Sequence, residues 1–236
     1  MGDLTRAQLR SAVAASLGNR TDINASIDNW LNFAQRYIAR RHDFRELRIV
    51  DEVTVIPVGV PATDKTYSLG VTNLKEIYAL LRQVGTDIAV KLTNVPNRQW
   101  QQLVGKPDAM GTGDAMWYTQ YGNSVEFSPV PAQQFTLVRH YSKWPTLLTS
   151  DSQVSDYTNK DEIIIARATH EAFQSLGMLE DAGRWFSIAD DLMDMAIKED
   201  NYRPDEVFVA RGVSEESSGP SSDPWADPFV KSTRVQ

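Results

Sequence analysis

The sequence predicts an α+β protein: N- and C-terminal helices forming a helical bundle, an inserted β-rich middle and an extended C-terminal tail. Three observations carry this. Apolar residues recur at three- and four-residue steps near both ends of the 236-residue chain, alternate in its middle, and lose all periodicity after about residue 200. The expected division is 1–48 plus 160–200 for the helical core, 49–159 for the β-rich insertion and 201–236 for the C-terminal arm. Each helix pair has one apolar face that it cannot bury alone, so the pairs are expected to pack together.

The first helix opens at Thr5, which with Gln8 has the spacing of a capping box. Leu4 and Leu9 sit where a hydrophobic staple closes the same end. Leu9, Val13 and Leu17 form its stripe, and Gly18 is placed as a left-handed stop. A second helix is expected from Asn24 to His42, with Ile27, Trp30, Leu31, Ala34, Tyr37 and Ile38 on its apolar side. Arg40 and Arg41 fall in its last turn, where the macrodipole favours cations.

After Leu47 the period becomes two. Val53 and Val55 alternate with Glu52 and Thr54 until Pro57 and Gly59 end the strand. Tyr67 and Leu69 mark a short strand. Two more are expected with Ile77, Ala79 and Leu81 on one face, and Ile88, Val90 and Leu92 on the other strand, joined through Gly85-Thr86-Asp87. Asn97 to Val104 reads as a short helix carrying Trp100, and Gly105 to Asp114 as a loop. Strands follow at Met116–Tyr121, Ser124–Phe127 and Phe135–Tyr141, the first two closed by Gly122-Asn123. Residues 142–160 are polar and loop-like apart from Trp144, Leu147 and Leu148.

Helices return at Asp161. Ile164, Ala168, Ala172, Phe173 and Leu176 make one stripe, broken at Gly177. Trp185, Ile188, Ala189, Leu192, Met195 and Ala196 make another, ending near Asp200. The remainder, with its Ser/Gly/Pro linker and two Asp-Pro steps, has the composition of an arm rather than of a core segment.

The 42% hydrophobic and 23% charged content is that of a globular domain, and no apolar run reaches the ~20 residues needed to cross a bilayer. The N-terminus mixes Asp3 and Arg6 and does not read as a secretory signal. With no cysteine, disulfides, thiolate metal sites and thiol nucleophiles are all excluded. A net charge of −7 argues against gripping a phosphate backbone as the main task.

Nothing in the sequence assembles a catalytic constellation, a cofactor loop or a metal site, and no enzyme activity is expected. His42 lies at a helix end, His140 in a strand, and His170-Glu171 lacks the second histidine of a zinc motif. Asp190 and Asp194 share a helix face, where two readings are open: a divalent-ion site, or the solvated side of an amphipathic helix. Gly111 and Gly113 are too few for a dinucleotide loop.

Two regions stand out as contact candidates. Arg36, Arg40, Arg41, Arg45 and Arg48 line one helix and its exit, suited to a carboxylate-rich protein surface or to phosphate, or else forming a solvated face with cap interactions. In the arm, Phe208 lies in a small apolar patch, and Asp223-Pro224-Trp225-Ala226-Asp227-Pro228-Phe229 presents two large aromatics. These either dock on a partner or fold back on their own domain.

Four strings together resemble the head-to-tail adaptor (connector, head-completion or neck) proteins of tailed bacteriophages. They are LRSAVAASLGNRTD, IDNWLNFAQRYIARRHDFREL, GNSVEFSPVPAQQFTLVRHYSKWPTLLTSD and DEIIIARATHEAFQSLGMLEDAGRWFSIADDLMDMAI, within residues 8–197. The resemblance implies a structural virion protein at the portal vertex, assembled in the host cytoplasm as a ring of twelve copies. Such a ring attaches below the portal protein, extends the DNA channel without sequence-specific binding and offers a platform to the tail or next neck component. It also implies that the arm, through Phe208, Pro224, Trp225, Pro228 and Phe229, reaches the portal. No catalytic residues, cofactor or membrane contact are implied. The β-rich middle sets this chain apart from the smallest, nearly all-helical adaptors. The competing expectation is a DNA-binding packaging-accessory protein that uses the arginine-rich second helix.

Overall fold

The computed structural model describes residues 3–20, 22–58, 66–103 and 111–201. The chain divides into two units, Met1–Met193 and Asp194–Gln236; of the second, the described residues are the closing turns of the last helix. The fold is α+β, with five α-helices and three sheets among the described residues.

Helix α1 (Arg6–Ser16) begins where Thr5 and Gln8 satisfy each other's amides, and it stops in a left-handed turn at Gly18. There the Gly18 and Asn19 amides donate back to Ala15 and Ala14, closing a Schellman motif. Helix α2 (Asn24–Arg41) buries Ile27, Leu31, Ala34, Gln35 and Ile38. It ends one residue before the expected His42, whose extended backbone leads to Phe44 and a short 3-10 turn at Arg45–Leu47.

The β-rich middle is two four-stranded sheets and one small pair. Strands β1 (Arg48–Ile56), β2 (Tyr67–Ser68), β3 (Leu74–Gln83), β4 (Val90–Lys91) and β5 (Thr93–Asn94) precede helix α3 (Asn97–Leu103). Strands β6 (Thr112–Gly113), β7 (Trp117–Tyr121), β8 (Ser124–Ser128), β9 (Val130–Pro131) and β10 (Phe135–Lys143) follow. The sheet orders are β1-β10-β3-β4 and β2-β8-β7-β5, with β6 paired to β9. Leu80, Leu92, Phe135, Leu137 and Tyr141 from the first sheet region meet Tyr67, Tyr118, Val125 and Phe127 from the second in one apolar core. The Gly122-Asn123 hairpin is as expected, with Tyr121 opposite Ser124 and Gly122 at positive φ.

Strand β3 departs from the expected phase. Ile77 and Leu80, not Leu81, turn to the core together with Leu74, a spacing of three rather than two. Its pairing with β10 slips by one residue twice, at Tyr78 and near Lys75, and each bulge flips the side chains that follow. Beyond the turn, Ile88 is 91% exposed and Val90 is also exposed; only Leu92 goes inward, because two paired residues are too short a strand to impose alternation.

Helices α4 (Asp161–Ser175) and α5 (Leu179–Asn201) are joined by a tight corner at Gly177, again a Schellman motif, with the Gly177 and Met178 amides donating to Gln174 and Phe173. Helix α4 packs on α1 and α2, and α1 packs on α2. Helix α5 buries Ala182, Ala189 and Met193, whereas Ile188 and Met195 of the expected stripe face solvent. Of the expected stripe Ala189 is buried, and Ala182 and Met193 join it, so the buried line runs beside the predicted one. Leu176, expected in the α4 stripe, is exposed at the corner.

Candidate functional site

Helix α2 is the element through which the described contacts converge. Its inner side is held by polar as well as apolar groups. Asn32 accepts the Leu148 amide and donates to the Leu148 carbonyl, and Gln35 accepts from Ser155 Oγ at 3.1 Å. Tyr157 is wholly buried, donates its hydroxyl to the Gln35 carbonyl at 3.0 Å and meets Phe44 edge-on. Burial, then the nearby Asp156, Glu46 and Asp43 charges, push its phenol well above the ordinary tyrosine range, so it stays a neutral donor. The segment 144–160, within the 142–160 stretch expected to be a polar loop, is therefore fastened along α2 by both backbone and side-chain hydrogen bonds.

The exit of α2 is locked by ion pairs. Lys160 reaches Glu46 at 2.5 Å and lies over the Phe44 ring at 4.3 Å. Burial alone would raise the Glu46 carboxyl; Lys160, its own amide and that of Thr158 outweigh it and hold the group below the usual range. Lys75 pairs with Asp43 at 2.8 Å and donates to the Ala39 carbonyl, placing a cation at the C-terminus of α2 and tying the sheet to it. At the other end, Arg6 and Arg10 share Asp151 and Asp28. Arg167 of α4 lies between Tyr37 of α2 and Phe186 of α5, at 4.3 and 5.3 Å from the rings.

The outer side of α2 is different. Ser26, Asn29, Phe33, Arg36 and Arg40 are exposed and recur at three- and four-residue steps, one stripe on the face opposite the buried one. Phe33 is 56% exposed at its centre. Arg36 and Arg40 make no hydrogen bond or ion pair among the described residues. The five arginines singled out in the sequence are all exposed, but they do not act as one group. Arg41 turns to Asp190 at 3.2 Å and Arg48 donates to the Asp43 carbonyl. The arm positions Phe208, Pro224, Trp225, Pro228 and Phe229 lie outside the described residues.

The histidines have ordinary neighbours. His42 stands edge-on to Phe44, and His170 places Nδ1 2.8 Å from the Ala182 carbonyl beside the Phe186 ring. Among the described residues no group of three or more His, Asp or Glu converges as metal ligands, and no helix is long and apolar enough to cross a membrane. Among the described residues the most buried charge is Arg139, overlooked in the sequence because its partner is far away in the chain: Asp51 at 2.6 Å, with the Leu69 carbonyl and the Tyr141 ring around it. The pair spans neighbouring strands inside the sheet, which fits a structural role.

Among the described residues this arrangement offers surfaces and ion-paired attachment. A family model described as SU10 adaptor protein matches residues 4–208, covering both the helices and the β-rich middle. Among curated proteins there is no match.

Proposed function

The chain belongs to the SU10 adaptor protein family, a family of phage structural adaptors, and from that membership we propose that it forms a ring below the portal of a tailed phage. In this reading the ring extends the DNA channel at the head-to-tail junction and provides the docking platform for the tail or next neck protein. The observation that carries it is the family match through residues 4–208. The net charge of −7 supports it, since an acidic tube lets DNA slide without the counterion-release binding a basic one would produce.

Residues 1–48 with 160–200 are the ring-building helical bundle in this proposal, 49–159 a projecting insertion, and 201–236 the arm. Contacts among α1, α2 and α4 support the bundle. The copies, twelve in number, are related head-to-tail by a contact that closes through rotation. Phe208, Pro224, Trp225, Pro228 and Phe229 anchor the arm on the portal, and Arg36, Arg40, Arg41, Arg45 and Arg48 serve subunit contacts. No catalytic step is assigned.

Mixing the chain with the portal protein and imaging the product tests this. A twelvefold ring on the portal is the expected result; a chain that stays monomeric beside the portal contradicts it. The DNA-binding alternative draws on Arg36 and Arg40 being exposed and without partners among the described residues. A gel shift on random duplex at low salt separates the two, because steeply salt-dependent affinity belongs to the alternative alone.

A further inference from the structure

The outer stripe of α2 and the corner between α4 and α5 have complementary chemistry. The stripe carries an exposed ring, Phe33, next to Arg36 and Arg40. The corner carries exposed Leu176, Met178 and Leu179, the last 70% exposed, followed at once by Glu180 and Asp181 in the first turn of α5. One is an aromatic flanked by cations that have no partner among the described residues. The other is an aliphatic knuckle flanked by acids whose described ion-pair partner is Arg184, in exposed i,i+4 and i,i+3 pairs. Exposed pairs of that kind are worth little and exchange readily.

The two surfaces lie at different places on one protomer. Helix α4 starts beside the exit of α2, where Lys160 meets Glu46, and passes Tyr37 at Arg167. It therefore runs back towards the start of α2, and its corner lies at that end. The Phe33–Arg36–Arg40 part of the outer stripe lies in the second half of α2, on the face opposite its buried side. Two complementary surfaces on one chain let copies join, and the ring of the adaptor reading requires the head-to-tail form, in which each copy offers one surface to each neighbour.

We infer that the subunit contact joins the Phe33–Arg36–Arg40 stripe of one copy to the Leu176–Asp181 corner of the next. The inference deepens the adaptor reading and rests on it. Phe33 packs against Leu176 and Leu179, and Arg36 and Arg40 exchange solvent for Glu180 and Asp181. The occupant is a second copy rather than nucleic acid because the matching acids and apolar groups are present on this same chain.

The absence of cysteine gives a test without background. Full-length Phe33→Cys and Leu179→Cys chains are prepared separately, mixed with portal protein and oxidised mildly. A disulfide-linked dimer formed by the mixture and by neither chain alone is the expected result. Adding Arg36→Glu with Arg40→Glu should cut that product by about tenfold or more. A tenfold loss is only ~1.4 kcal/mol, and like charges facing each other across an interface cost several times that. The exposed positions should leave the melting temperature of each variant unchanged, so misfolding is recognised directly.

A ring that forms on the portal without the mixed cross-link overturns this contact and leaves the adaptor reading standing. Cross-linking of Phe33→Cys to itself overturns it too, because that geometry is two-fold. A gel shift on duplex DNA that Arg36→Glu with Arg40→Glu abolishes, while ring assembly is unchanged, assigns the stripe to phosphate instead. Failure to associate with or without portal overturns both readings together.

Discussion

At the scale of single residues, the interior is held by pairs whose members are far apart in sequence. Glu46 and Lys160 are the clearest case, with Lys160 almost fully buried. Glu46→Gln removes the charge partner while leaving the cation inside, and should cost about 2 kcal/mol or more, read from the urea midpoint. Tyr157→Phe keeps the ring and loses one interior hydrogen bond, for an expected ~1 kcal/mol. The acid response follows from Glu46 and Asp156, both held below their ordinary values. In each, burial opposes the shift, which Lys160 at Glu46 and the Thr146 amide and Lys143 at Asp156 overcome. Carboxyls depressed in the folded state stabilise it above their unfolded pKa of about 4, and that stability is lost as pH falls through the folded values. Unfolding free energy should therefore be flat from neutrality to about pH 5 and decline below pH 4. In Glu46→Gln the decline should be shallower. None of these residues was legible in the sequence, because nothing local distinguishes Tyr157 in a polar stretch or Arg139 in a strand from surface neighbours. Their roles come from partners across the fold, Gln35 and Asp51.

Elements were legible where their signals are local. The Thr5–Gln8 box and the stops at Gly18 and Gly177 depend on residues within one turn, and each appears where the sequence places it. The α2 stripe, and the α4 stripe as far as Phe173, are buried for the same reason. The phase of β3 was not readable, since its bulges arise only when it is paired with β10. The outer α2 stripe was half legible: its arginines stood out, but Phe33 did not, because an exposed aromatic has no periodic signature. The corner glycines carry a prediction. Gly18 and Gly177 sit at φ +76°, and an added Cβ would meet nothing within 4 Å. Gly177→Ala should thus cost about 1 kcal/mol through backbone strain alone, with no steric part. Thermal melting measures it, and a much larger loss would mean that the corner is packed rather than open.

At the scale of the whole molecule, the two chain-distant halves of unit 1 serve one purpose: they bring a helical side and a sheet side together through α2. Lys75 and the 144–160 segment are the ties. The arm is separable from this body in the proposed function. Deleting residues 214–236, or replacing Trp225→Ala with Phe229→Ala, should leave the melting temperature unchanged while abolishing stable attachment to the portal. Aromatic anchors contribute about 2 kcal/mol or more each, multiplied around a ring by avidity. Pull-down on portal protein reads the outcome, and undiminished capture by either variant would assign attachment to the helical body instead.

The mooring of α1 has a consequence for how the chain comes into being. The Thr5 and Gln8 amides are met locally, but those of Asp3 and Leu4 donate to the Asp161 carboxylate, and those of Arg6 and Ala7 to the Gln153 and Asp151 carbonyls. Every one of these acceptors lies more than 140 positions downstream. On the ribosome α1 emerges before that segment, and although α2 can pack on it, these four amides lack their acceptors until the segment through Asp161 has followed, minus the portion still in the exit tunnel. Closing so long a loop is slow and comes late. A nascent chain halted at residue 150 should therefore leave α1 open to protease, and release through α4 should protect it. Of the described helices, the one made before the others is then among the last to be secured.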